Sequence, residues 1–130
     1  MQTEELRWEA IALGVPVGLL AAAILVVNNV RDIDTDRRAG KRTLAVKLGR
    51  DRARTLFVAM VAVAFLVPLV LVPALSAWLL LTLAALPLAP PLIRTVRTRT
   101  DGPALNGALA ATGRLLAVFS LLLAGGVLLS

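Results

Sequence analysis

The sequence predicts an all-α protein, a multi-pass membrane helical bundle with four transmembrane helices. Of its 130 residues, 58% are hydrophobic and 17% charged, and the mean hydropathy is +0.85; soluble domains run nearer half apolar and a quarter charged. Charge is absent from two long stretches, 21 residues at 10–30 and 39 residues at 55–93. The basic residues gather between such stretches, nine of the 14 lying within 31–54. Together these make lipid, not water, the solvent for most of the chain.

Each element follows from helix geometry. An α-helix rises about 1.5 Å per residue, so about 20 apolar residues cross a hydrocarbon layer about 30 Å thick. Residues 10–30 are one span. Residues 55–93 suffice for two, and Pro73 followed by Ser76 places a tight hairpin at 73–76, with spans at 55–72 and 77–93. A fourth span runs over 109–130, with Arg114 close enough to its end to snorkel. The whole of 1–130 reads as one membrane domain. The first nine residues carry three glutamates and lead into an apolar run too long for a signal-peptide core, so no cleavage is expected. Gly14 and Gly18 form a small-xxx-small pair suited to helix packing.

Orientation comes from the loops. Segment 31–54 holds nine basic and four acidic residues, and 94–101 adds three arginines, whereas 1–9 is net acidic. The positive-inside bias puts both basic loops in the cytoplasm and the C-terminus outside the cell membrane. Trp8 and Trp78 then both begin helices on the outer side, at headgroup level.

Composition also excludes chemistries. There is no cysteine and no histidine, which removes disulfides, thiol catalysis, imidazole bases and the usual zinc sites. A metal here needs oxygen ligands, which favours Mg2+. The net charge of +6 is crowded into short stretches instead of covering a face, so nucleic acid is not an expected partner.

The chemistry concentrates where the first span ends, in the run Asn28-Asn29-Val30-Arg31-Asp32-Ile33-Asp34-Thr35-Asp36 followed by Gly40-Lys41-Arg42-Thr43. If the helix continues past the membrane face, Asn28, Asp32 and Asp36 fall at i, i+4 and i+8 on one stripe. Two carboxylates one turn apart repel unless a cation joins them. A magnesium ion can take one oxygen from each and complete its shell with water and phosphate oxygens. Gly40 allows a sharp turn, and Lys41 and Arg42 bring donors suited to phosphate. The bland reading is a solvated topology signal; the coupling of the two aspartates to Asn28 and to the Gly-Lys-Arg-Thr turn favours function. Asp34 lies on another face and is expected to be solvated. Arg37 and Arg38 could be topology determinants, phospholipid contacts or diphosphate ligands, and spacing does not choose. Lys47, Arg50, Arg52 and Arg54 read as cytoplasmic anchors.

Residues 28–36, together with Gly40-Lys41-Arg42-Thr43-Leu44-Ala45-Val46 and Leu48-Gly49, resemble the second aspartate-rich motif of UbiA-superfamily intramembrane prenyltransferases. The wording is closest to the menaquinone branch, the 1,4-dihydroxy-2-naphthoate polyprenyltransferases. Leu105-Asn106 and Thr112-Gly113-Arg114-Leu115-Leu116 resemble that branch's last loop and last helix. The resemblance covers the whole chain. It implies a bundle of nine membrane helices, of which this chain would supply the sixth to the ninth.

The resemblance also implies a mechanism. Two aspartate-rich motifs face one another across a cavity open to the cytoplasm and the lipid, holding Mg2+ on the diphosphate of a polyprenyl diphosphate. As diphosphate departs, an allylic carbocation forms and the electron-rich ring of 1,4-dihydroxy-2-naphthoate attacks it, losing its carboxyl group as the tail is joined. Asp32 and Asp36 would be the catalytic magnesium ligands, Lys41 a diphosphate contact, Asn28 a supporting ligand and Arg42 a further diphosphate contact. The family's first motif, N-D-x-x-D-x-x-x-D, is absent from these 130 residues. The chain therefore reads as a truncated product or fragment lacking an N-terminal half, and is expected to be inactive alone.

Other readings are a UbiA-type enzyme for another aromatic acceptor, a CDP-alcohol phosphotransferase, and a non-catalytic four-helix membrane subunit. The second also uses a D-x-x-x-D pair but wants D-G-x-x-A-R upstream and a glycine where Asn28 stands. The third would be favoured by ionisable residues near the bilayer midplane, and no span contains one.

Overall fold

The structure, a computed structural model, describes residues 2–71 and 77–129. It is all-helical, with no strand among the described residues. The elements in order are α1 (Gln2–Arg31), α2 (Ile33–Arg38), α3 (Leu44–Leu48), α4 (Arg50–Leu71), a 3-10 helix (Ala77–Leu88), α5 (Ala89–Thr98) and α6 (Gly102–Leu129). Three described stretches are long and apolar enough to cross a membrane: Ile11–Arg31, Arg50–Val70 and Gly102–Gly126.

The expected span at 77–93 takes a different form. Instead of one α-helix, 12 residues wind as a 3-10 helix and α5 continues for 10 more, to Thr98. Prolines account for the break. Pro87 sits within the tighter segment and Pro90 and Pro91 in the first turn of α5. A proline has no N–H for the i→i−4 ladder and crowds the preceding turn, yet is tolerated in a first turn where that N–H would have no helical partner. The charge-free run concealed this, because hydropathy does not register a missing donor. The hairpin expected at 73–76 lies outside the described residues, as do the side chains of Trp8 and Trp78.

The long helices share one core. α1 packs against α4 and α6, and the 3-10 helix packs mainly on α6. From α1, Leu20, Ala23, Val27 and Val30 are buried; from α4, Phe57, Val61 and Ala64; from α6, Leu105, Ala108, Leu115 and Phe119. Spacings of three, four and seven put each set on one helical face. Phe65 and Phe119 meet edge to face, with ring centroids 5.2 Å apart and planes at 86°. Thr112 is buried, and its hydroxyl donates to the Ala108 carbonyl at 2.7 Å, so no polar atom is stranded there.

The outer faces are equally apolar. Val70 and Leu121 are 73% exposed and Leu128 85%, as lipid-solvated helices require. Among the described residues Gly14 and Gly18 do not form the packing contact expected of them: a Cβ on either would meet nothing within 4 Å.

Because lipid solvates apolar side chains as well as a core does, packing rather than burial should separate positions in this bundle. Phe119→Ala removes an edge-to-face partner and leaves a void, and should lower stability by on the order of 2–4 kcal/mol, whereas Leu121→Ala should change it little. Thermal unfolding in detergent checks both.

Candidate active site

The site is built where α1 runs out. The Asp32 N–H donates to the Asn28 carbonyl at 3.2 Å and the Asp36 N–H to the Asp32 carbonyl at 2.8 Å. The i→i−4 ladder thus continues through Asp32, although its φ of −99° and ψ of 10° interrupt regular helix. Asn28, Asp32 and Asp36 therefore lie along one stripe.

Two glycines fold the following loop back onto the bundle. Gly40, at φ 76°, donates to the Arg37 carbonyl, and the Lys41 N–H reaches the Asp36 carbonyl at 2.8 Å. This is a Schellman closure of α2, and its left-handed position suits glycine. Gly40 thus makes the turn expected of it. Thr43 caps α3, its hydroxyl accepting from the Val46 N–H at 3.3 Å, and Gly49, at φ 87°, ends α3 and starts α4. Ala45 and Ala53 are buried, which seats α3 between α1 and α4.

Arg31 is the hub. Its Nε donates to Asp32 Oδ1 at 2.9 Å and its Nη2 to Asp32 Oδ2 at 3.1 Å, a bidentate clamp. The same Nη2 donates to Asn28 Oδ1 at 2.6 Å, and Nη1 donates to Asn106 Oδ1 at 2.9 Å, on α6 and 75 positions away. The clamp from Arg31 holds the Asp32 carboxyl below the usual carboxylate range; partial burial opposes this, and the charge of Lys41 adds to it.

The other candidates sort by position. Asp36 is half-buried and makes no side-chain hydrogen bond or ion pair among the described residues. Lys41 and Arg42 are exposed beyond the Gly40 turn. Asp34 leaves the stripe, as expected, but is not simply solvated: Arg50 reaches it at 3.4 Å. Arg54 is also more than an anchor, donating to the Arg99 carbonyl at 2.9 Å and tying α4 to the loop before α6.

That loop is stiffened by Asp101. Its carboxylate takes Arg99 at 2.9 and 3.2 Å and accepts from the Ala104 N–H at 3.2 Å, capping α6 five residues before Asn106. Reading the sequence for acidic spacing missed Arg31 and Asn106. The available signals were an arginine inside the motif and an amide in the apolar opening of α6.

Among the described residues no three carboxylates gather as a ready metal cluster. Asp32 and Asp36 offer oxygen donors from one face, and each Asp32 oxygen has a lone pair beyond the one Arg31 uses. The pair fits a hard cation that takes its remaining ligands from elsewhere.

The sequence profile of the UbiA prenyltransferase family matches residues 1–109. The chain belongs to this family. It is 38% identical to the 1,4-dihydroxy-2-naphthoate octaprenyltransferase of Mycobacterium leprae, over 98% of this chain and 44% of the relative. The protein of the same name from Mycobacterium tuberculosis is 41% identical over 96% of this chain and 43% of its own length. The UbiA prenyltransferase domain-containing protein 1 homolog of Drosophila melanogaster is 38% identical over 68% of this chain. The chain thus spans a little under half the length of the bacterial relatives that match it throughout. No solved structure matches it.

The α6 cap gives a pH test. The Arg99 hydrogen bond keeps the Asp101 carboxyl below its ordinary value; desolvation opposes it, and the Ala104 N–H adds to the lowering. A carboxyl lowered on folding stabilises the fold above its unfolded pKa of about 3.9, and that contribution disappears as pH falls through the lower folded value. Asp101→Ala should therefore unfold more easily than the parent at neutral pH, with the gap closing in acid. Melting curves across pH check this.

Proposed function

We propose that this chain is the C-terminal half of an intramembrane aromatic prenyltransferase that joins a polyprenyl group to 1,4-dihydroxy-2-naphthoate in menaquinone biosynthesis. The observation that carries the reading is the Asn28–Asp32–Asp36 stripe at the end of an apolar helix. It lies in a chain that aligns almost end to end with bacterial relatives bearing that enzyme name.

In this reading residues 1–130 form one membrane domain of four spans, the last four of nine. A third span over 77–93 remains feasible despite its altered winding. At about 2.0 Å per residue, a 12-residue 3-10 helix extends roughly 24 Å, and α5 carries the chain further. Charge asymmetry orients the bundle in the cell membrane with 31–54 and 94–101 in the cytoplasm.

Asp32 and Asp36 would each give Mg2+ a carboxylate oxygen, with Asn28 as a supporting ligand. Bound there, the ion would neutralise charge on the departing diphosphate. Lys41 and Arg42, exposed beyond the turn, would meet the phosphate oxygens. The polyprenyl C–O bond breaks, diphosphate carries away the electron pair, and a ring electron pair forms the bond to the allylic carbon; the ring carboxylate then leaves as CO2 and returns its C–C bonding pair to the ring. Transfer needs a second aspartate-rich motif across the cavity, and 1–130 holds one. The isolated chain should therefore show no prenyl transfer.

Joined to a family N-terminal half to give a complete enzyme, Asp32→Ala and Asp36→Ala should each lower kcat/KM by a factor on the order of a hundred or more. Asp34→Ala should keep most activity, and Lys41→Ala should mainly raise the KM for polyprenyl diphosphate. If Asp34→Ala were as damaging as Asp32→Ala while Asp36→Ala stayed active, Asp32 and Asp34 would be the working pair.

Orientation has its own check. Topology reporters fused after Arg50 and after Arg99 should read cytoplasmic, and one at Ser130 external. A cytoplasmic signal at Ser130 would mean that the spans are miscounted, with the region around Pro73 the first to re-examine.

A further inference from the structure

We infer that Asn106 is a positioning residue for the aspartate pair, acting from α6 through Arg31 to set the direction of the Asp32 carboxylate. The inference rests on the metal-diphosphate reading of Asp32 and Asp36, and it adds a residue outside their motif.

Arg31 has five N–H groups in one plane, and four are engaged: two on the Asp32 carboxylate, one on Asn28 and one on Asn106. Asn28 and Asp32 lie within one turn of Arg31, so they share whatever local motion the end of α1 has. Among the described residues Asn106 is the one partner of Arg31 that lies far from it in sequence, on α6. It ties the plane of the guanidinium to another helix of the bundle. Its own place is held by the Asp101 cap one turn earlier and by Leu105 and Ala108, both buried against the core.

The bidentate clamp makes the carboxylate follow the guanidinium. Each Asp32 oxygen gives one lone pair to Arg31 and keeps another for a cation, so the clamp directs the carboxylate without blocking it. Such partners behind a metal ligand commonly change metal affinity by 10–100-fold. Asn106 is neutral, so its removal leaves the charge of the site unchanged. Any effect on cation binding then reports orientation and not Coulomb attraction.

The test uses the 130-residue chain in phosphatidylcholine nanodiscs, with Mn2+ and inorganic pyrophosphate as probes and bound Mn2+ read by electron paramagnetic resonance. Asn106→Leu keeps the side chain's size but deletes the acceptor, and should weaken Mn2+ binding about tenfold. Asn106→Asp keeps an acceptor for Arg31 and should bind at least as well as the parent. In an Arg31→Gln background, Asn106→Leu should cause no further loss, because the two act as one unit. Three results would overturn the inference: unchanged binding in Asn106→Leu while Asp32→Ala loses it, equal losses in Asn106→Leu and Asn106→Asp, or an undiminished Asn106→Leu effect without Arg31. Undiminished Mn2+ binding in Asp32→Ala would overturn the metal-site reading and this inference with it, and so is distinguishable from the other three.

Discussion

A guanidinium at the edge of an apolar bundle must find its partners within the protein or in the headgroup layer, and in this chain that requirement organises the end of the bundle where α1 runs out. Arg31 closes α1 and engages Asp32 in two bonds, Asn28 in a third and Asn106 in a fourth. Charge-assisted bonds of this kind strengthen as water is excluded. The same contacts that neutralise the arginine bring the aspartate motif and the start of α6 into one cluster. The turn chemistry around it is consistent with that role: Gly40 and Gly49 fold the intervening segment back over α1 and α4, so the motif is presented from a packed base instead of a loose loop.

Lipid sets the second constraint. Apolar side chains gain little by leaving lipid for a protein core, so association of the helices depends on packing and on polar contacts. The interior reflects this. Phe65 and Phe119 pack edge to face, alanines at 23, 64 and 108 allow close approach, and Thr112 satisfies its own hydroxyl. The exposed apolar faces of α1, α4 and α6 need no polar cover in that solvent. Gly14 and Gly18 are exposed among them, and no described residue stands within 4 Å of where their Cβ would be.

The arginines of 31–54 and 94–101 divide into two kinds. Some point into solvent and serve orientation by their charge. Others are structural: Arg50 reaches Asp34, Arg54 holds the Arg99 carbonyl, and Arg99 supports the Asp101 cap. Spacing cannot separate the two kinds, because an anchor and a cross-helix donor look alike when only their distance from a hydrophobic run is known.

What the sequence determined by itself follows from properties that are local or cumulative. Hydropathy summed over about 20 residues finds apolar helices. The i, i+4, i+8 placement of Asn28, Asp32 and Asp36, with a glycine four residues on, places the stripe and its turn. What only the tertiary structure decided depends on which helix faces which. It alone shows that Arg31, which holds Asn28 and Asp32, also bonds Asn106, 75 positions away, because no periodicity along one helix encodes a bond to another. It also resolves 77–93 into a 3-10 helix and a separate α5, since the missing amides of Pro87, Pro90 and Pro91 act through hydrogen-bond geometry that hydropathy does not carry.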